Sequence, residues 1–210
     1  MKTNLILAFL IVFSNALFGQ IKPDQSKDYN NLEEALKNPQ MIYRLDLSNQ
    51  KVKLDTIDWT KFTNLTYLNL KNDHLKELPI GITTLKSLKT IDLSGNDFNV
   101  LPSNFSNLTA LEEVFLNDEK KMNLPKTLNI LAKLPNLKSL HLENDHLKSL
   151  PSELLRFKNL EKLYLGNNEL KQIPVLKTLD HLKYLDLKNN NVETDIRDMK
   201  NLNFGLKINF

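Results

Sequence analysis

One pattern, Leu-x-x-Leu-x-Leu-x-x-Asn-x-Leu, is written seven times between Ile42 and the end of the chain. One copy runs Leu65, Leu68, Leu70, Asp73, Leu75; another runs Leu160, Leu163, Leu165, Asn168, Leu170. The first apolar position of each copy falls at Ile42, Leu65, Leu88, Leu111, Leu137, Leu160 and Leu182, at intervals of 23, 23, 23, 26, 23 and 22 residues. A repeat of this period constrains the fold more than any local propensity. Each copy is one supersecondary unit that can bury its apolar face only against the next.

Within a copy, the last two leucines of Leu-x-x-Leu-x-Leu are two apart, so they point to one side of a short strand. Successive copies predict strands side by side in a parallel sheet. Their cores centre on Leu45–Leu47, Leu68–Leu70, Ile91–Leu93, Val114–Leu116, Leu140–Leu142, Leu163–Leu165 and Leu185–Leu187. Five copies follow the strand with an apolar residue and proline: Leu78-Pro79, Leu101-Pro102, Leu124-Pro125, Leu150-Pro151 and Ile173-Pro174. Proline fixes φ and lacks a donor, so it starts the return path on the opposite side of the sheet. The fourth return path, residues 126–134, is three residues longer and predicts an α-helical turn or two where its neighbours form 3₁₀ turns. In that copy Lys121 fills a core slot, and Met122 is expected to replace it.

A stack of such units needs caps at its ends. Tyr29 to Pro39 reads as an N-terminal capping helix, with Asn30 or Asn31 as N-cap and Glu33 and Glu34 in the first turn. Leu32, Ala35 and Leu36 would form its apolar face. Leu202 to Phe210 reads as a last strand, with Leu206 and Ile208 in the two core slots of a partial eighth unit. Its edge is open to pairing.

This pattern resembles the leucine-rich repeat family, in the 23-residue form that carries the leucine–proline step. The resemblance implies an α/β fold: a right-handed solenoid curved into a horseshoe arc, with parallel strands on the concave face and 3₁₀ or short helical segments on the convex side. It also implies a role, the non-enzymatic binding of another macromolecule, a protein, through the concave face. Two other readings are a glycan-binding surface protein that stacks sugars on the aromatic row described below, and a structural component of a surface assembly joined through the open edge. The chain divides into a signal peptide at 1–19, a polar lead-in and capping helix at 20–40, and the repeat domain at 41–210.

The signal peptide reading rests on Lys2, an uncharged apolar run from Leu5 to Phe13, and the small residues Ser14, Ala16 and Gly19. Cleavage is expected after Gly19, or after Ala16. The run is too short to span a bilayer. The expected location is therefore secreted, periplasmic or cell-surface, with no membrane span in the mature chain. The chain has no cysteine, which closes lipoprotein anchoring and leaves packing alone to hold the ends. Extracellular animal members of the family usually have disulfide-bonded caps, so this chain reads as a bacterial exported protein. The formal net charge is +3 at pH 7, close to balance, and no basic stripe points to nucleic acid. A monomer is expected.

Of the four histidines, His74 and His146 recur in one string, Asn-Asp-His-Leu-Lys, just past the asparagine slot, and read as repeat duplication. His181 lies on a return path. A metal site needs converging ligands; these side chains are dispersed, and neither a metal nor another cofactor is expected. Ser139 and His141 share a strand face, but no elbow or oxyanion motif accompanies them, so no catalytic residue is assigned. The asparagine slot itself holds Gln50, Asp73, Asn96, Glu119, Asp145, Asn168 and Asn190. Ionised carboxylates accept but cannot donate, so the inter-repeat ladder of hydrogen bonds is expected to be incomplete.

The candidate site lies among the outward strand positions. Between the two core slots stand Asp46, Asn69, Asp92, Phe115, His141, Tyr164, Asp186 and Lys207; two residues earlier stand Arg44, Tyr67, Thr90, Glu113, Ser139, Lys162 and Tyr184. With strands about 4.8 Å apart, Phe115, His141 and Tyr164 predict a contiguous aromatic row with Tyr184 diagonal to it. Apolar rings exposed on a solvated sheet face mark partner sites. The expected partner-binding set is Tyr67, Asp92, Glu113, Phe115, His141, Lys162, Tyr164 and Tyr184.

Overall fold

The computed structural model describes residues 24–172, 179–193 and 205–210. The segment 1–19 expected as a signal peptide, the Ile173-Pro174 step and Leu202 to Phe204 lie outside the described residues. Among the described residues, nine parallel strands form one open sheet, ordered along the chain. They are β1 (Asp28–Tyr29), β2 (Arg44–Asp46), β3 (Tyr67–Asn69), β4 (Thr90–Asp92), β5 (Glu113–Phe115), β6 (Ser139–His141), β7 (Lys162–Tyr164), β8 (Tyr184–Asp186) and β9 (Lys207–Asn209). The units stack into a solenoid, as the repeat predicts.

Register follows from burial. Leu45, Leu68, Ile91, Val114, Leu140, Leu163 and Leu185 lie on successive rungs, and each is 0% exposed. A one-residue slip would turn every one of them to solvent. The second core slot continues the stack past the assigned strands: Leu47 N–H donates to Asn69 O at 2.9 Å and Leu93 N–H to Phe115 O at 3.0 Å.

On the return side, Pro79, Pro102 and Pro151 each precede a 3₁₀ segment, at Ile80–Thr84, Ser103–Asn107 and Ser152–Arg156. These segments bury Ile82, Phe105 and Leu154. The longer unit forms a helix, α2 (Leu124–Leu131), capped by Asn123, whose Oδ1 accepts from Lys126 N–H at 3.1 Å. It starts earlier than residue 126 because Pro125 fits the first turn, where its missing N–H has no intrahelical partner to lose. Met122 packs against the core, while Lys121 pairs with Asp97 at 3.1 Å.

Strand ends turn sharply at one repeated position. Asn49, Asn72, Gly95, Asp118, Asn144, Asn167 and Asn189, each immediately before the asparagine slot, all have φ between 55° and 68°. Left-handed backbone favours Gly, Asn and Asp, which explains the residue types. His74 and His146 also adopt positive φ, 57° and 56°, so their recurrence has a backbone cause.

Both ends differ from expectation. Tyr29 lies in β1, paired with Leu45, rather than in the capping helix. The helix is shorter, α1 (Leu32–Lys37), with Asn31 Oδ1 accepting from Glu34 N–H at 3.0 Å. Ala35 is fully buried, but Leu36 is 44% exposed and does not share the apolar face. At the other end Ile208 pairs with Leu185, Lys207 with Tyr184 and Asn209 with Asp186. The terminal unit is therefore offset by two residues, with Ile208, not Leu206, on the rung of Leu185, and Phe210 exposed at the end. An offset of two keeps the same side chains facing inward, so alternation alone does not select between the registers.

Candidate functional site

Four units end their strands in the same way. Asp46, Asn69, Asp92 and Asp186 each use Oδ1 to accept from the N–H two residues on, in Ser48, Lys71, Ser94 and Lys188, at 2.9 to 3.0 Å. This side-chain turn closes the strand. Asp92, expected in the partner-binding set, therefore commits one oxygen to its own backbone.

Phe115, His141 and Tyr164 occupy the same position in three successive units and cannot make that bond. Other side chains serve the N–H groups of the first two: Ser94 Oγ accepts from Asn117 N–H at 3.2 Å, and Asn117 Oδ1 from Glu143 N–H at 2.9 Å. The three rings form a column instead. Phe115 stacks on His141 at 3.8 Å between centroids with planes 20° apart, and His141 on Tyr164 at 4.0 Å and 6°. Tyr184 leans on Tyr164 at 5.3 Å and 50°.

His141 is the keystone of the column and not an open contact. It is 7% exposed, sandwiched between two rings. Its Nε2 lies 3.0 Å from Glu113 Oε1 and its Nδ1 3.3 Å from Glu143 Oε2. Both nitrogens are taken by carboxylates, which leaves neither for Ser139. Phe115 is half-buried too, so the sheet offers ring edges rather than a free apolar face. Burial, with Tyr184 and the carboxylates of Glu113, Asp186 and Glu143, pushes the Tyr164 hydroxyl up; it remains a neutral donor.

The structure thus brings Glu113, Phe115, His141, Tyr164 and Tyr184 together. Lys162 is exposed on the rung beside Tyr184. Tyr67 stands apart, with the Arg44 guanidinium 3.9 Å from its ring centroid and Arg44 Nε donating to Asp28 at 2.7 Å. Glu143 and Asn117 belong to the site but escape a reading confined to strand positions: Glu143 lies two residues past His141, beyond the strand end, and Asn117 of the preceding unit holds Glu143. Away from this face, Ile80 is 70% exposed over a cleft lined by Leu54, Ile57, Trp59 and Leu78. Among the described residues, no three His, Asp or Glu side chains converge as a metal site, and no helix is long and apolar enough to cross a membrane.

Comparison with known families places this geometry. A profile described as a leucine-rich repeat region matches residues 26–135, and a second, leucine rich repeat, matches residues 135–192. Similar solved structures include a leucine-rich repeat protein of Leptospira interrogans, at 26% identity and TM-score 0.61 over 87% of this chain and 57% of that one. Human 5T4, trophoblast glycoprotein, is similar at 26% identity and TM-score 0.62, over 72% and 62%. Toll of Drosophila, solved in complex with Spatzle, is similar at 26% identity and TM-score 0.59, over 74% of this chain and 21% of that one. The chain thus spans less than two thirds of these relatives. Comparison with curated proteins finds no match by sequence.

Proposed function

The chain belongs to the leucine-rich repeat family, and from that premise we propose that it is an exported, non-enzymatic module that binds a protein partner on its strand face, centred on Phe115, Tyr164 and Tyr184. One observation carries this reading. Four units use the strand-end position to close their own backbone, and three successive units give that bond up for a stacked aromatic column. Strand propensity would scatter aromatic residues; it would not set three on adjacent rungs with Glu113 and Glu143 fixing the middle one.

The column favours protein over glycan. Sugar stacking needs an open ring face, and here both faces of His141 and one face each of Phe115 and Tyr164 are taken up by stacking. Ring edges, a tyrosine hydroxyl, two glutamates and Lys162 match the mixed apolar and polar contacts of a protein interface. The similarity to Toll, solved with a protein bound, supports the same class of partner. The apolar leader at 1–19 supports export.

The test is partner capture by the repeat domain and by Phe115→Ser/Tyr164→Ser. The double variant keeps the wild-type circular dichroism spectrum and loses at least about tenfold in capture, since central interface aromatics contribute about 2 kcal/mol or more. A folded double variant that retains every wild-type partner overturns the assignment of this face.

A further inference from the structure

Three units carry a carboxyl at the slot where their neighbours carry an amide. Asn96 shows what the amide does. Its Oδ1 accepts from Asp73 N–H and Leu75 N–H at 3.1 and 3.0 Å, and its Nδ2 donates to Leu70 O and Leu93 O at 2.9 and 2.6 Å. Asn168 repeats this, accepting from Asp145 N–H and Leu147 N–H at 3.0 Å and donating to Leu142 O and Leu165 O at 2.7 and 2.9 Å.

The carboxyls reproduce only the accepting half. Asp73 Oδ1 accepts from Gln50 N–H and Lys51 N–H at 2.9 and 3.1 Å, Glu119 Oε1 from Asn96 N–H at 2.9 Å, and Asp145 Oδ1 from Glu119 N–H at 2.7 Å. The second oxygens of Asp73 and Glu119 stand in the place of the amide nitrogen. Both are buried without a hydrogen-bond partner. By the repeat offset they face strand-end carbonyls, those of Leu47 and Leu70 for Asp73 and of Leu93 and Leu116 for Glu119. A buried carboxylate oxygen against carbonyl oxygens leaves acceptors with no hydrogen between them, at the full cost of an unpaired buried charge.

We propose that the folded solenoid holds Glu119, and by the same geometry Asp73, as neutral carboxylic acids whose O–H groups donate to the strand-end carbonyls, so that protons close the inter-repeat ladder. A protonated carboxyl has one acceptor and one donor, the arrangement of the asparagine amide it replaces. Each acid takes up one proton from solvent on folding.

The surroundings agree. Glu119 is packed between Asn96 and Asp97 of the preceding unit, Asp118 of its own turn and Asp145 of the next; Lys121 is engaged by Asp97. Asp145 faces Asp118 and Glu143, with His146 the basic group beside it. Burial, reinforced by these acids and opposed by the single backbone bond each accepts, pushes Glu119 up to about 8 and Asp145 up to about 7. Asp73 is raised by burial, opposed by its bonds from Lys51 and Gln50 and by His74, with Asp46 adding to the rise.

The sign follows from linkage. The folded state binds these protons more tightly than the unfolded chain, where carboxyls titrate near 4. The resulting stability is fully present below that range, is lost as pH rises through 7 and 8, and is absent above.

The test is urea unfolding of the chain from pH 5 to 9, read by circular dichroism and by the fluorescence of Trp59, the one tryptophan. The wild-type midpoint falls as pH rises. Glu119→Gln, whose amide donates at every pH, flattens that fall and exceeds wild type at pH 9. Refolding at pH 6 in weak buffer takes up about one more proton in wild type than in the variant. Parallel pH profiles for the two proteins, or equal proton uptake, overturn the proposal. Should the variant not fold, the carbon-13 carboxyl resonance of Glu119 in wild type decides; a titration midpoint below pH 5 overturns it.

Discussion

Asn96→Ala is the sharpest probe of how the repeats hold together. The side chain is 7% exposed and makes four good hydrogen bonds, two accepted and two donated, that tie its own unit to the preceding one. Each contributes about 1 kcal/mol net, and a backbone group left unpaired in the interior costs about 1–3 kcal/mol. The expected loss is therefore about 4 kcal/mol, a large share of the roughly 5–15 kcal/mol that stabilises a domain. The assay is the urea midpoint and slope, followed by Trp59 fluorescence and circular dichroism. Asn64→Ala is the control, because it removes one exposed bond, Asn64 Nδ2–H to Gln40 O at 2.8 Å, and should cost less than about 1 kcal/mol. Asn96→Asp adds a discriminating arm: it keeps the accepting half and should lose as much as alanine at pH 8 but less at pH 5. If Asn96→Ala loses no more than Asn64→Ala, water replaces the ladder freely, and the argument that these bonds stabilise the stack is wrong.

Two further outcomes follow from the core and the turns. Leu93→Ala empties a fully buried site in the middle of the stack and should cost about 2–5 kcal/mol, whereas Asp92→Ala loses one bond to Ser94 N–H and should cost about 1 kcal/mol; equal shifts in denaturant midpoint contradict the assigned strand faces. Gly95→Ala should lower the thermal midpoint, because φ is +68° and the added Cβ would sit 2.0 Å from Asn72 Oδ1, forcing that side chain off its bond to Asn49; an unchanged midpoint shows that the turn relaxes freely.

The fold was largely legible because its cause is periodic. Two leucines two apart determine which side of a strand is buried, and a fixed interval between copies determines which strands become neighbours. Both core rows, the helix in the 26-residue unit and the adjacency of Phe115, His141 and Tyr164 follow from those two facts. The left-handed turn was equally present in the sequence, as Asn, Gly and Asp recurring before the asparagine slot, but it is visible only when that column is read as a demand on φ.

The adjacency of the aromatic rungs was legible, and the state of the rings was not. Exposure of Phe115 and availability of His141 were natural expectations for outward strand positions, and the structure overrides both, because each ring is covered by the ring on the next strand. Glu113 reaches His141 from the preceding strand while Glu143 reaches it from two residues on, and only the stack brings the two carboxylates to opposite nitrogens of one ring. The terminal register is decided in the same non-local way, since both alternatives bury the same face.

Sequence alone therefore determined the repeat, the direction each strand residue faces and the family. Tertiary structure decided which polar groups lose water and which find a partner. Alternation is a property of one strand and can be read along it. Desolvation and hydrogen bonding at Asp73, Glu119 and Asp145 depend on the unit above and the unit below, and exist only once the stack is closed.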